Sequence, residues 1–445
     1  MYIGKVHELV SEKRPTMFIR TFGCQMNDRE SEKLHGQLTA MGYTESHSEE
    51  NADLVLYNTC CVREAAENKV YGNLGRLKAY KVKQPGKIVV FCGCMPQREE
   101  VVAEINAHHR HIDIIFGTFN KQELPRLLYE YLTNGGPVVE ILQEHLQADD
   151  EFDGQITRFD PHKAGVTIMY GCDNYCSYCI VPYVRGREKS RPLEEVLMEI
   201  KALADDGVKE IMLLGQNVNS YAHGFPELIR AVNDIAGLVR IRFMTSHPKD
   251  LSQGLIDAIR DCKKVCKHIH LPMQSGSSRI LEAMNRGYTK EQYLDLVARL
   301  REAVPGIVIT TDIIVGFPGE NEEDFSDTLD TVQKAEFTGA YTFLYSHREG
   351  TPAADMQDEV PKEIAKERFN RLIETINPLQ LAHNRRYLGQ TVSVLAEGES
   401  SGRTDDNVLV HFEGKAAPDL PAAPGDVLDV KITECKTFYV RGISV

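Results

Sequence analysis

The residues with the plainest chemical potential are Cys172, Cys176 and Cys179, spaced C-x3-C-x2-C within YGCDNYCSYCIVPYVRG. Three thiolates within eight residues can reach one metal centre without long-range folding. A zinc ribbon asks for a second pair of cysteines, and none follows. A four-iron cluster held by three cysteines instead leaves one iron open to an outside ligand. Three incidental cysteines on a turn, or a structural zinc with a distant fourth ligand, are the competing readings.

A second group is spread along the N-terminal third. Cys24 follows MFIRTFG, Cys60 follows DLVLYNT and Cys94 follows KIVVFCG, so each ends a separate strand-like run. If these strands are neighbours in a parallel sheet, the three thiols converge on one edge, the usual crevice for ligands. Cys61 and Cys92 could compete for the same role. Alternation along the chain places Cys61 on the opposite face, and Cys92 lies inside its strand, where a small apolar side chain is expected. Cys262 and Cys266 are four apart at the end of a helical pattern and could share one helix face. They and Cys435 read as structural thiols.

The eleven cysteines are an odd number in 445 residues, so they cannot all pair. The opening stretch MYIGKVHELVSEKRP has no apolar signal-like core. No run approaches the roughly 18 apolar residues of a membrane span. A cytoplasmic, reducing setting with no membrane association is expected, where clustered cysteines bind metal or react. The 42% apolar content suits a chain with buried cores. The net charge of −14 excludes a globally basic nucleic-acid binder but leaves room for a local basic patch.

The elements that must hold these thiols can be read from periodicity. Runs 17–23, 53–59, 87–93 and 112–118 are short and rich in branched or aromatic residues, with amphipathic helical patterns between or after them. This alternation predicts an N-terminal α/β domain with a parallel sheet over 1–146. An acidic linker is expected at 147–164. Six further strand candidates follow at 165–171, 209–215, 240–246, 268–273, 307–316 and 340–346, separated by helical patterns. They predict a partial (β/α)6 barrel over 165–384, with an open doubly wound sheet as the competing arrangement. From 385 to 445, alternating strands without helices predict a small all-β barrel.

Polar residues cluster at the ends of the central strands. Gln216 and Asn217 follow KEIMLLG, Ser246 and His247 follow RIRFMT, Gln274 and Ser275 follow HIHLPM, and Asp312 lies in the fifth strand. Strand C-termini are where a barrel builds its pocket, so this register suits ligand binding; capping or turn roles are the alternative.

The C-x3-C-x2-C spacing resembles the signature of radical S-adenosylmethionine enzymes. The longer words TFGCQMN, NTCCVREAAENKVYG, GCDNYCSYCIVPYVRGREKSR, LLGQNVNSY, IHLPMQSGS and TDIIVGFPGE together resemble the methylthiotransferases of that group across nearly the whole chain. FGCQMN and GQNVN favour the branch acting on a tRNA adenine over those that modify a ribosomal-protein aspartate or a threonylcarbamoyl-adenosine. The resemblance implies two [4Fe–4S] clusters, one on Cys24, Cys60 and Cys94 and one on Cys172, Cys176 and Cys179. Cys61, Cys92 and Pro96 depart from the pattern and leave these ligands in register.

It further implies S-adenosylmethionine in two roles, as methyl donor to sulfur at the N-terminal cluster and as source of a 5′-deoxyadenosyl radical at the barrel cluster. The radical would abstract hydrogen from adenine C-2 of N6-isopentenyladenosine at position 37, just 3′ of the anticodon. Tyr178 would lie near the adenine of S-adenosylmethionine, and the Gln216–Asn217 pair near its methionyl amine. Ser246, Gln274 and Asp312 join this candidate pocket. A single-stranded anticodon loop can present its base without breaking a duplex. Arg185, Arg187, Lys189 and Arg191 are the candidate phosphate contacts. An electron donor such as flavodoxin or ferredoxin is implied. The C-terminal barrel resembles the TRAM module, yet it carries seven basic and nine acidic residues, so its RNA role is analogy. A non-catalytic electron-transfer scaffold is the reading from another class; carriers normally supply four cysteines per cluster, not three.

Overall fold

The computed structural model describes residues 1–62, 64–144, 156–417 and 420–445. Half of the expected linker, 147–155, lies outside the described residues, and its last part already belongs to the strand Lys163–Thr167. The chain divides into two compact units, 1–159 with 180–187, and 160–179 with 188–445.

The first unit is built on a six-stranded sheet. Its strands are β1 (Thr16–Thr21), β2 (Thr44–Glu45), β3 (Leu54–Thr59), β4 (Ile88–Gly93), β5 (Ile114–Phe116) and β6 (Val138–Glu140). They run in the order β2-β1-β3-β4-β5-β6 with every pairing parallel. β3 and β4 are buried at every position, because helices cover both faces; that is why they read as continuous apolar runs. Val55, Tyr57, Val89 and Phe91 pack with Val70, Leu74, Val101 and Ile105 on one side. Leu54, Leu56, Val90 and Cys92 pack with Leu34, Leu38, Leu124 and Leu127 on the other. β2 and β6 were not legible beforehand, since two or three residues carry no periodicity.

The second unit opens with β7 (Lys163–Thr167), followed by a short antiparallel ribbon, β8 (Met169–Tyr170) with β9 (Lys189–Ser190). Five more parallel strands follow: β10 (Glu210–Leu214), β11 (Arg240–Phe243), β12 (His268–His270), β13 (Val308–Val315) and β14 (Gly339–Leu344). They form two groups, β7-β10-β11 and β12-β13-β14, and a parallel bridge from Ile241 to Val265 continues the series toward β12. The spatial order follows the sequence without the reversal of a doubly wound sheet. No pairing joins β7 to β14 among the described residues, so the strands form an open arc, a partial barrel.

The helix Lys362–Arg385 leads into a closed small barrel. Its wall is β15 (Thr391–Gly398), β16 (Ser401–Arg403), β17 (Leu409–Glu413), then, past the short pair β18 (Lys415–Ala417) and β19 (Leu420–Pro421), β20 (Val427–Cys435) and β21 (Val440–Ser444). Inward residues alternate along each strand, filling the interior with Val394, Val410, Phe412, Val430 and Ile432. Two buried arginines of β11 fasten this barrel to the strand arc. Arg240 donates to the carbonyls of Arg403 (2.6 Å) and Ser393 (3.1 Å), and Arg242 to those of Thr404 (2.7 Å) and Asp405 (2.9 Å).

A titrating group sits beside this junction. The Asp406 carboxylate accepts from the hydroxyls of Tyr387 and Thr404, and burial raises it to about 6. An unfolded aspartate titrates near 3.9, so the folded state holds this proton to higher pH. Stability from this group is therefore greatest at acid pH, falls as pH rises from about 4 to about 6, and is flat above. Asp406→Asn is expected to raise stability at pH 7 by about 1–2 kcal/mol and to leave it unchanged at pH 4, measured by urea unfolding at both pH values.

Candidate active site

In the first unit, β1, β3 and β4 are consecutive neighbours, so their C-terminal ends lie side by side. Cys24 stands three residues past β1 and caps the helix Gln25–Ala40; Cys60 and Cys94 directly follow β3 and β4. Asn27 laces the edge together, donating from Nδ2 to the carbonyls of Phe22 (2.8 Å) and Thr59 (2.9 Å). Gly93 turns the chain toward Cys94 with φ +99°, and a Cβ there would meet the Thr59 carbonyl oxygen at 2.4 Å. Gly93→Ala is expected to cost about 1–3 kcal/mol from backbone conformation alone, measured by urea unfolding.

The thiols meet in two pairs. Cys24 hydrogen-bonds Cys60, which holds the Cys24 thiol down at about 6 against the effect of burial, with help from Arg185. Cys94 hydrogen-bonds Cys61 and is lowered by that bond and by Arg185, while Cys60 and Cys61 are raised. The expectation that Cys61 points to the opposite face is therefore corrected. β3 ends at Thr59, so strand alternation does not reach Cys61. Cys92 stays inside β4 in the opposite core, as a packed thiol. Among the described residues, no three His, Cys, Asp or Glu side chains are arranged to hold a metal ion. A four-iron cube asks for a wider set of sulfurs than one ion does, and Cys24, Cys60 and Cys94 are close enough to perturb one another's titration.

Arg185 is not a surface phosphate contact. It is buried in the first unit, with Nη1 on Glu30 Oε1 at 2.8 Å and Nη2 on Asn27 Oδ1 at 2.7 Å. Arg191, in the second unit, is also buried; its Nη1 donates to the Thr167 carbonyl and to Glu199, both at 2.7 Å. Arg187 is exposed and Lys189 half-buried. On the C-terminal barrel, Lys436 and Arg441 flank Glu434 at 2.6 and 3.6 Å, while Arg403 stands apart at the junction beside Glu397.

In the second unit, Cys172, Cys176 and Cys179 sit on the loop after β8. Segment 283–286 pins this loop. Ser177 N donates to the Met284 carbonyl at 3.0 Å, Ser177 Oγ to that of Ala283 at 2.8 Å, and Asn285 Nδ2 to that of Tyr175 at 3.0 Å. Arg286 Nη1 points at Cys176 Sγ (3.3 Å) and the Tyr178 hydroxyl (3.4 Å), a contact no sequence signal announced. Asn174 Nδ2 approaches Cys172 Sγ at 3.5 Å, and burial raises the Cys172 thiol to about 11. Tyr178 packs against a cluster of Ile280, Met284 and Phe317, so it serves as a packing residue whatever else it touches.

At the ends of β10 and β11, four buried polar atoms lack a hydrogen-bond partner among the described residues: Gln216 Oε1, Asn219 Oδ1, Ser246 Oγ and His247 Nε2. Such atoms are costly unless something polar meets them. His247 Nδ1 accepts from Lys249 N at 3.3 Å, and burial, with Arg286 and Lys249 nearby, lowers the ring to about 2. The ring is thus neutral, with its hydrogen on the unpartnered Nε2. Asn217 is engaged in bracing the loop, donating to Asp250 (2.7 Å) and accepting from His247 N (3.2 Å). Gln274 takes φ +70° and donates from its backbone N to the Asp312 carbonyl at 2.8 Å, and Asp312 Oδ2 lies 3.3 Å from His270 Nε2.

Family descriptions match three stretches of the chain: the Radical SAM superfamily over 166–332, the uncharacterized protein family UPF0004 over 16–117 and the TRAM domain over 385–445. The tRNA-2-methylthio-N(6)-dimethylallyladenosine synthase of Acetivibrio thermocellus is 52% identical, covering 98% of this chain and 92% of that protein. The chain belongs to this synthase family. The Clostridium tetani synthase is 48% identical over 100% of this chain and 99% of its own. Among solved structures, the radical S-adenosylmethionine methyltransferase TsrM of Kitasatospora setae aligns with a TM-score of 0.55 at 15% identity, covering 77% of this chain and 74% of that one. This likeness concerns the fold. Within the family's frame, Asn27, Arg286 and Asn219 are residues that reading the sequence missed, and Arg185 is one whose partners it mistook. Asn27 lies within the word TFGCQMN and Asn219 within LLGQNVNSY, whereas Arg286 lies in none of the quoted words.

Proposed function

We infer that this chain is a tRNA methylthiotransferase, converting N6-isopentenyladenosine at position 37 of tRNA to its 2-methylthio derivative. The observation that carries the reading is the pair of cysteine trios on one chain of this family, each one ligand short of four. Cys24, Cys60 and Cys94 hold one [4Fe–4S] cluster, and Cys172, Cys176 and Cys179 hold the other. The residues fit such groups: the thiols are close-set, and a buried guanidinium stands by each trio, Arg185 near Cys24 and Cys94 and Arg286 on Cys176. When bound, the clusters supply a one-electron reductant for S-adenosylmethionine and an iron at which sulfur is held.

The protein's own part is to bind and orient. Gln216, Asn219, Ser246 and His247 present unpartnered polar atoms at the strand ends, and S-adenosylmethionine is the polar ligand that meets them. Neutral His247 acts there as a donor and not as a cation. The partner is the tRNA anticodon stem-loop, whose unpaired bases can be presented singly. A flavodoxin- or ferredoxin-type protein delivers electrons. Among the described residues no helix is long and apolar enough to cross a membrane, and the cytoplasm is where the tRNA is met.

Two assays test the reading. Anaerobic reconstitution should yield about eight irons per chain, as two four-iron clusters require; about four would reject the two-cluster assignment. Incubation with reductant, S-adenosylmethionine and tRNA bearing isopentenyladenosine should yield the methylthio nucleoside. Its absence, with modification of a ribosomal-protein aspartate instead, would assign the chain to the sibling branch.

A further inference from the structure

The segment Ile180–Arg187 begins directly after Cys179, yet it belongs to the compact unit that carries the other thiol group. Ile180 and Val184 are buried there beside Phe22, Cys61 and Cys94, and the Val184 carbonyl accepts from Thr118 Oγ1 at 2.5 Å. Its short helix, Val181–Arg185, ends on Arg185, whose side chain is about 6% exposed. A guanidinium so buried needs strong compensation. Among the described residues its close acid is Glu30 at 2.8 Å, and that carboxylate is shared with Lys121. Two cations on one anion leave a surplus positive charge in a dry pocket. The groups that face Arg185 across this surplus are Cys24 and Cys94; Asn27 Oδ1, which accepts from Arg185, also receives a weak contact from Cys24 Sγ at 3.9 Å. Asp28, the other acid near Cys24, lies on the exposed side of its helix.

We propose that Arg185 is a positioning residue for the N-terminal cluster, a buried cation that balances its thiolates and raises its reduction potential. The proposal rests on the reading that Cys24, Cys60 and Cys94 hold that cluster. A fixed positive charge beside a redox group favours the form carrying the extra electron, and does so most strongly where water is excluded. The same short stretch of chain then carries the last barrel thiol and the charge that tunes the other cluster.

The test uses full-length protein in which Cys172, Cys176 and Cys179 are all alanine, so that one cluster remains, and reads its midpoint by redox titration monitored by electron paramagnetic resonance. This background should keep about four irons; keeping none would overturn the ligand reading itself, separately from the proposal. Arg185→Gln should move the midpoint to a more negative potential, and Arg185→Lys should restore most of the shift. Glu30→Gln, which keeps Arg185 and removes its acid, should move the midpoint the other way. Retained iron with an unchanged midpoint in Arg185→Gln would overturn the proposal. If Arg185→Gln cannot hold iron, Glu30→Gln decides: a positive shift supports the proposal and no shift overturns it.

Discussion

Cys176→Ala is expected to reduce 5′-deoxyadenosine formation to the level seen without enzyme, a loss on the order of a thousandfold or more, and to abolish methylthiolation with it. Cys176 is the most buried thiol of its loop and the one that Arg286 addresses directly, with Nη1 at 3.3 Å from Sγ. Removing it takes one of three ligands from a set that already lacks a fourth, so the remaining pair, Cys172 and Cys179, cannot hold the cluster. The loss should be one of cofactor and not of fold. The loop is pinned through Ser177, Tyr175 and segment 283–286, contacts that do not involve the Cys176 side chain. Arg286 also keeps a backbone partner, the Pro272 carbonyl at 2.9 Å, so its charge is not stranded. The measurement is deoxyadenosine by chromatography after anaerobic incubation with dithionite and S-adenosylmethionine, alongside iron content and circular dichroism. Near-native deoxyadenosine formation with this thiol gone would remove Cys176 from the ligand set.

Much of this site was legible because its chemistry is local in sequence. Cys172, Cys176 and Cys179 fall within eight residues, and no fold is needed to bring them together. The N-terminal trio was legible for a different reason. A parallel strand ends where its apolar run ends, and β1, β3 and β4 happen to be adjacent. What failed was inference two residues past a strand. Alternation governs Cys92, which sits in the opposite core, but not Cys61, because β3 has already stopped at Thr59. Charge was misread for a related reason. In RGREKSR the arginines look like a solvated basic run, yet Arg185 and Arg191 are buried and paired with Glu30 and Glu199. A composition count cannot distinguish an arginine facing phosphate from one whose carboxylate partner lies over 150 positions away, as Glu30 does from Arg185. Arg286 and the junction arginines Arg240 and Arg242 were invisible for the same reason, since their partners, backbone carbonyls among them, are brought near only by folding.

The second large effect separates the two thiol groups. Cys94→Ala should keep S-adenosylmethionine cleavage while reducing methylthio product to background, leaving about four irons per chain. Deoxyadenosine would then accumulate without nucleoside product. Cys24→Ala should behave in the same way, since Cys24 and Cys94 are both lowered toward the thiolate a metal needs. Cys60 and Cys61 are the sharper contrast, because both are buried next to a lowered thiol and both are raised. Position separates them. Cys60 pairs with Cys24, and its Cβ lies where a Cβ on Gly23 would stand, 2.2 Å away, so the glycine leaves room for that side chain at the sheet edge. Cys61 pairs with Cys94 from within the apolar core of Val70, Leu74 and Val101. Cys60→Ala should therefore lose the N-terminal iron, and Cys61→Ala should keep it with at most a packing cost. The reverse result would make Cys61 the ligand. It would mean that the chain after Thr59 turns its second thiol, not its first, toward the edge when the cluster is built, and that the pairing of Cys24 with Cys60 belongs to the iron-free protein alone.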